Sequence, residues 1–184
     1  MLNPKDCVLY SGGAAGTESF FGEKAESLGI EEVNFSFEGH QNTRRRGVRV
    51  LTSEELALKD VSLSYVSRLM NRQFTRAPLF RKVLQSICWQ VSSGNEVFVA
   101  GSILPDNTVK GGTGWGAEFA KLCNKPLWVF DQEKNEWFRW DKNVWSPDSD
   151  PVISAAHFTA TGTRFLAENG KQAIATLFDR SFAK

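Results

Sequence analysis

Apolar and polar residues along the chain change period several times, and each change predicts an element. Val8 to Tyr10 is a short apolar run, read as a buried first strand. Gly16 to Leu28 reads as a helix ended by Gly29. Val33-Asn34-Phe35-Ser36-Phe37 alternates with the period of a strand. Glu38 to Arg49 is polar and basic and reads as a loop. Ser53, Glu54 and Glu55 look like a helix start, because acids favour a first turn. The helical pattern runs to about Arg76, where Pro78 interrupts it, and Leu79 to Val91 makes a further helix.

Glu96 to Ile103 is a strong strand, followed by a Pro105-Asp106-Asn107 turn and a short returning arm, Thr108 to Lys110. A helix is expected from Trp115 to Cys123, then a buried strand Leu127 to Phe130. Trp137 to Trp140 reads as an edge strand and Ser146 to Pro151 as a polar loop. A last helix is expected from about Thr161 to Phe178, with Thr161 or Thr163 as its N-cap. Strands alternating with helices predict an α/β sandwich around a mostly parallel sheet, with ligands at the carboxyl ends of its strands.

Two glycine loops interrupt this pattern. Ser11-Gly12-Gly13-Ala14-Ala15-Gly16-Thr17-Glu18 follows the first strand, and Gly111-Gly112-Thr113-Gly114-Trp115-Gly116-Ala117-Glu118 precedes a helix. In both, glycines lie six and two residues before a glutamate. Glycine lets the backbone approach a ligand, and a helix N-terminus offers unpaired N–H groups to an anion. Two such loops predict a pocket for a phosphorylated small molecule.

Composition narrows the partners. The 184 residues are read as one domain of residues 1–184, and a net charge of +1 argues against binding nucleic acid through bulk charge. Three spaced cysteines without a CxxC read as reduced thiols, so a cytoplasmic location is expected. No apolar run approaches membrane-spanning length. Two histidines exclude a histidine-rich metal site and leave carboxylate-held Mg²⁺ open. No cofactor or metal site is assigned.

The second loop resembles the signature of the Lonely-guy family of nucleotide-binding Rossmann proteins, Pro-Gly-Gly-x-Gly-Thr-x-x-Glu. Gly111, Gly112, Gly114 and Glu118 match in register, while Lys110 replaces the proline and Trp115 the threonine. The first loop resembles the openings of the same broad superfamily, which includes YpsA-like (SLOG-type) proteins and those labelled putative molybdenum carriers. The resemblance implies a three-layer Rossmann-like sandwich, to which the turn at Glu133 to Asn135 into Trp137 to Trp140 adds a short antiparallel edge extension. Lonely-guy enzymes hydrolyse the N-glycosidic bond of nucleoside monophosphates. By this resemblance Glu118 would take part in catalysis, and Arg81, in the pair Arg81-Lys82, would assist. YpsA-like proteins are mostly assigned ligand binding, and many relatives look dimeric, so a homodimer is one expected assembly.

Three functional classes follow: a nucleotide N-glycoside hydrolase, a non-catalytic sensor or oxyanion carrier, and an interaction protein using its tryptophans. Ligand contacts are expected from Ser11, Gly12, Gly13, Gly16, Thr17 and Glu18 in the first loop and from Gly111, Gly112, Thr113, Gly114 and Trp115 in the second. Arg72, in a stripe with Arg68 and Arg76, would clamp phosphate or form a solvated face. Asp131, at a strand's carboxyl end, would contact ribose or metal or shape a turn. Thr161 and Thr163 would cap the last helix or meet a second phosphate. Glu18 and Glu118 would form a carboxylate pair or be first-turn acids. His157 is either a general acid–base or structural. Trp137, Trp140 and Trp145 would seal one end of the sheet, form an interface or stack on a base.

Overall fold

The computed structural model describes residues 2–74 and 76–182. Its centre is an eight-stranded sheet of order β3-β2-β1-β8-β4-β5-β6-β7. The strands are β1 (Val8–Ser11), β2 (Glu31–Phe37), β3 (Val48–Leu51), β4 (Glu96–Gly101), β5 (Leu127–Asp131), β6 (Glu136–Asp141), β7 (Val144–Pro147) and β8 (His157–Gly162). The pairings from β3 across to β5 are parallel, and β6 and β7 add an antiparallel edge. The protein is a Rossmann-like three-layer α/β sandwich.

Helices cover both faces. They are α1 (Thr17–Ser27), α2 (Ser53–Ala57), α3 (Asp60–Leu69), α4 (Pro78–Ser93), α5 (Thr113–Leu122) and α6 (Glu168–Phe182). The period-2 geometry of the strands divides the core. Phe98 of β4 and Trp128 and Phe130 of β5 pack with Phe21 of α1 and Ile174, Leu177 and Phe178 of α6. The alternate residues Val97, Val99, Leu127 and Val129 pack with α3, α4 and α5 on the other face. A strand buried on both faces reads as a continuous apolar run, which is why β4 and β5 stood out in the sequence.

Three expectations need correction. The last helix does not begin near Thr161. Residues 157–162 form β8, the strand between β1 and β4 at the middle of the sheet, and α6 starts at Glu168. Its buried threonines are satisfied locally: Thr159 Oγ1 donates to the Gln90 carbonyl at 2.6 Å and Thr161 Oγ1 to Glu18 Oε1 at 2.8 Å. Neither Thr161 nor Thr163 is an N-cap. The expected helix from Ser53 to about Arg76 is instead α2 and α3, ending at Leu69, so the arginine stripe does not share one helix; Thr75 lies outside the described residues. Short strands β3 and β7 overlap the ends of the stretches 38–49 and 146–151 read as loop.

Strand order reverses at the centre: β1 leads outward to β2 and β3, while β4 leads the other way to β5. A parallel sheet opens a crevice at the carboxyl ends of its strands where the order reverses. Here β8 fills the gap between the halves, and both glycine loops leave from beside it.

Candidate functional site

The crevice holds a cavity of about 600 Å³, a volume that suits a small-molecule ligand. Gly12 and Ala14 of the first loop and Gly111, Gly112 and Thr113 of the second line it together. The floor comes from α4 through Val83, Ile87 and Gln90, and the mouth carries Phe80 and Phe165. Phe165 is 87% exposed, an unusual position for a large apolar ring.

The two loops are built differently. In the first, a side chain folds back onto the backbone. Glu18, the second residue of α1, turns its carboxylate back onto the loop, and Oε2 accepts from the Ala14 amide at 2.9 Å. The Thr161 hydroxyl donates to Oε1 of the same carboxylate at 2.8 Å. Glu18 is only 5% exposed and lines the cavity. Desolvation pushes its carboxyl above the ordinary value; the bonds from Ala14 and Thr161 and the charge of Arg164 oppose this in part.

Glycine is required at several points. A side chain on Gly12 would collide with the Gln90 amide nitrogen and come 2.9 Å from Glu18 Oε2. Gly13 has φ +68° and its carbonyl accepts from the Arg44 amide at 2.9 Å. Gly16 precedes α1 with φ +83°, packed against the 163–164 backbone. Behind the loop, the Thr17 amide and hydroxyl both donate to the Thr163 carbonyl, at 3.1 and 2.9 Å. Ser11 Oγ donates to the Ala160 carbonyl at 2.8 Å.

The second loop leaves its donors open. Gly112 caps α5 without any side-chain partner. Among the described residues, no intrachain acceptor takes the amide of Gly112 or Thr113, and both residues line the cavity. These are the orphan N–H groups of a helix start, where the helix dipole favours an anion. Arg72 holds the loop from behind. Its guanidinium donates to the carbonyls of Gly111 at 3.1 Å and Val109 at 3.0 Å, and to Thr108 Oγ1 at 2.8 Å. Arg72 therefore positions the loop rather than clamping a phosphate directly. Gly114 packs against the same group, since a Cβ there would stand 2.7 Å from an Arg72 nitrogen.

Thus Gly12, Glu18, Gly111, Gly112, Thr113, Thr161 and Thr163 come together at the cavity. Gly13, Gly16, Thr17, Ser11, Arg72 and Gly114 stand behind it as supports. Four expected site residues lie elsewhere. Trp115 is buried against Phe74, with ring centroids 5.9 Å apart, because it falls on the inner face of α5. Asp131 organises a turn: its carboxylate accepts from the amides of Ile103, Glu133 and Lys134 at 3.0 to 3.1 Å. Glu118 pairs with Lys121 at 3.1 Å beside a separate surface groove. Arg81 pairs with Asp60 at 2.5 Å and covers the Phe74 ring.

His157 bonds the Tyr10 hydroxyl at 3.0 Å at the amino end of β8, opposite the cavity. Trp137 packs in the core against Phe98 and Phe130. Trp140 and Trp145 meet edge to face, with the Lys121 ammonium 3.8 Å from the Trp140 centroid. None of the three lines the cavity.

Sequence reasoning missed Gln90, His40, Phe80 and Phe165. Gln90 carried a usable signal: a polar residue among Leu84, Ile87, Cys88 and Val91, on the buried side of α4. It is 2% exposed, and its Oε1 has no hydrogen-bond partner. His40 stacks on Phe37 and contacts Ser36 Oγ at 3.1 Å. Burial first, and then the charge of Arg164, lowers its pKa, so the ring is neutral at neutral pH.

The Glu18 environment predicts a pH signature. A carboxyl raised above its unfolded value of 4.5 binds its proton more tightly when folded. Its stabilising contribution is present below pH 4.5 and is lost as pH rises through the raised value. Relative to Glu18→Gln, the native protein should lose stability steadily as pH rises from 4.5 towards neutrality. Urea unfolding of both proteins across that range reads this directly; a constant difference would contradict it.

Comparisons with protein-family models, curated proteins and solved structures find no match to the chain.

Proposed function

We propose that the protein binds a nucleotide or nucleotide-like phosphate in the cavity between its two glycine loops. The supporting observation is the pair of open amides at Gly112 and Thr113, at the start of α5 and facing the cavity. An anion there would receive two backbone hydrogen bonds and the favourable end of the helix dipole. Lys110 and Arg164 at the rim add positive charge. Phe80 packs directly over Gly112, where an added Cβ would stand 3.5 Å from its ring. It and Phe165 offer faces for a flat ring.

A matched pair of variants tests the anion position. Gly112 has φ −62°, the value that proline adopts. Gly112→Pro removes one amide donor at little backbone cost, whereas Gly112→Ala keeps it. A hydrogen bond to a charged group contributes about 1.5–3 kcal/mol. Isothermal titration with nucleoside monophosphates should show at least roughly tenfold weaker binding for the proline variant, and near-native binding for the alanine variant. Equal affinities would remove the amide from the site.

A second reading, N-glycoside hydrolysis, is favoured by one observation: a buried carboxyl, Glu18, in the cavity wall. Water would add across the bond between sugar C1′ and the base nitrogen, releasing free base and a sugar phosphate. In this reading the acid–base role passes from Glu118 to Glu18. Chromatographic detection of free base, absent with Glu18→Gln, separates enzyme from binder.

A cytoplasmic location and a homodimer belong to the same proposal. Three free cysteines, two of them buried, support the first. Among the described residues, no helix is long and apolar enough to cross a membrane. Sedimentation velocity tests the dimer.

A further inference from the structure

We infer that the outward face of α3 is the surface on which two copies of the chain pair, their α3 helices antiparallel across a two-fold axis. The inference rests on the homodimer reading and assigns that dimer its face.

Helix α3 is apolar on two sides. Leu63, Val66 and Met70 are buried and pack in the core with α4 and α5. On the other side Leu58, Val61, Tyr65 and Leu69 are 70, 72, 59 and 56% exposed. Their spacing of three, four and four residues sets them in one line along the helix. A surface helix normally carries one apolar stripe, turned to its own core, and a polar opposite face. Single exposed apolar residues need no explanation, but a contiguous row of them marks an interaction surface.

The polar residues beside the row are prepared for burial. Ser64 Oγ donates to the Asp60 carbonyl at 2.9 Å, and Ser67 Oγ to the Arg72 carbonyl at 2.5 Å. Each hydroxyl proton is placed on the chain's own backbone, so covering it costs little. Serine is also small, which lets a second helix come close. Tyr65 brings a large ring of the kind enriched at interfaces.

Charge names the partner. Glu54 stands one turn before Leu58, whose amide donates to its carbonyl at 3.2 Å, and Arg68 lies in the last turn of α3. Both are exposed, and among the described residues neither has an ion-pair partner. The outward face therefore runs from an acid, through apolar residues, to a base. A two-fold interface must be complementary to itself. Turned end for end, this face meets that condition: Glu54 of each copy comes towards Arg68 of the other, with Leu58, Val61 and Tyr65 of both between them. A parallel pairing would set acid on acid and base on base. A second copy of the chain is thus the occupant that the face itself specifies.

The test is sedimentation velocity of the native protein and three variants through the micromolar range. The native protein should be a dimer, and Val61→Lys a monomer under the same conditions. Arg68→Glu turns two attractive contacts repulsive and should raise the dimer dissociation constant at least about tenfold. Adding Glu54→Arg to it should bring that constant back to within about threefold of native, because the swapped charges again face their opposites. A native monomer overturns the homodimer reading and this face with it, and leaves the nucleotide reading intact. A native dimer that Val61→Lys leaves whole overturns the face alone. A dimer that Arg68→Glu does not weaken, or that the double reversal does not restore, overturns the antiparallel arrangement. The charge reversals decide the matter by themselves if Val61→Lys does not fold.

Discussion

Glu32→Ala is expected to destabilise the protein by up to about 3–5 kcal/mol, the usual cost of removing one partner of a buried ion pair. Glu32 is 4% exposed and sits in β2. Its two oxygens accept from Arg44 Nε and an Arg44 terminal nitrogen, both at 2.6 Å. Arg46 and the Asn34 amide add bonds at 3.2 Å. The guanidinium of Arg44 lies against Gly22 of α1, where a Cβ would collide with it. The Arg44 backbone is bonded in turn to Gly13. The pair therefore fastens the 38–47 segment across α1 and onto the first glycine loop.

Removing the carboxylate leaves Arg44 with only the more exposed Glu26, at 2.6 Å, as its ionic partner among the described residues. Chemical unfolding measures the loss, and a change below about 1 kcal/mol, the value of an exposed pair, would refute the buried character of this brace. Glu32→Gln keeps two polar heads and should cost less. Both variants should also loosen the first loop, visible as faster amide exchange at Gly13 and Ala14.

Gly114→Ala tests the second loop with an opposite expectation from local propensity. Gly114 lies inside α5, where alanine normally gains about 0.8–1 kcal/mol over glycine. Here the added carbon would collide with the Val109 carbonyl and crowd Arg72. Overpacking of this kind costs about 1–3 kcal/mol. The variant should therefore be less stable by about that amount, and nucleotide affinity should fall at least roughly tenfold as the Gly112 and Thr113 amides shift. A stabilised variant with native affinity would mean that the loop is not held against α5. Thermal unfolding and titration on one preparation give both numbers.

These sites differ in how legible they were. Strands β4 and β5 announced themselves as apolar runs, and the glycine loops through spacing and the helices that follow. Strand β8 was hidden because its alternation, Phe158 and Ala160 with Thr159 and Thr161, is short and half polar. Its threonines are tolerated in the middle of a sheet only because Gln90 and Glu18 accept their hydroxyl protons. Those partners are 69 and 143 residues distant, beyond the reach of any local pattern. The same limit explains Trp115, Arg72 and Arg81. Their residue types suit ligands, but their directions are fixed by tertiary neighbours: Phe74 for the indole, the Thr108–Gly111 backbone for Arg72 and Asp60 for Arg81. Glu18 and Glu118 occupy equivalent places in the two loops, yet one enters the cavity and the other does not. A motif fixes where a residue falls on a helix; the packing of that helix decides what the side chain meets.

The position of β8 has a consequence for how the site comes into being. The first glycine loop belongs to the half-sheet β3-β2-β1 and the second to the half-sheet β4-β5-β6-β7, and within the sheet, among the described residues, β8 alone pairs with both. Its residues pair with β1 from Val8↔His157 and with β4 from Glu96↔Phe158. During synthesis both half-sheets emerge from the ribosome before the strand that unites them. Until it inserts, each presents an unpaired inner edge, the kind of surface that recruits other chains. The cavity is therefore completed late, when residues 157–162 close the sheet and bring Thr161 and Gly162 to its lining.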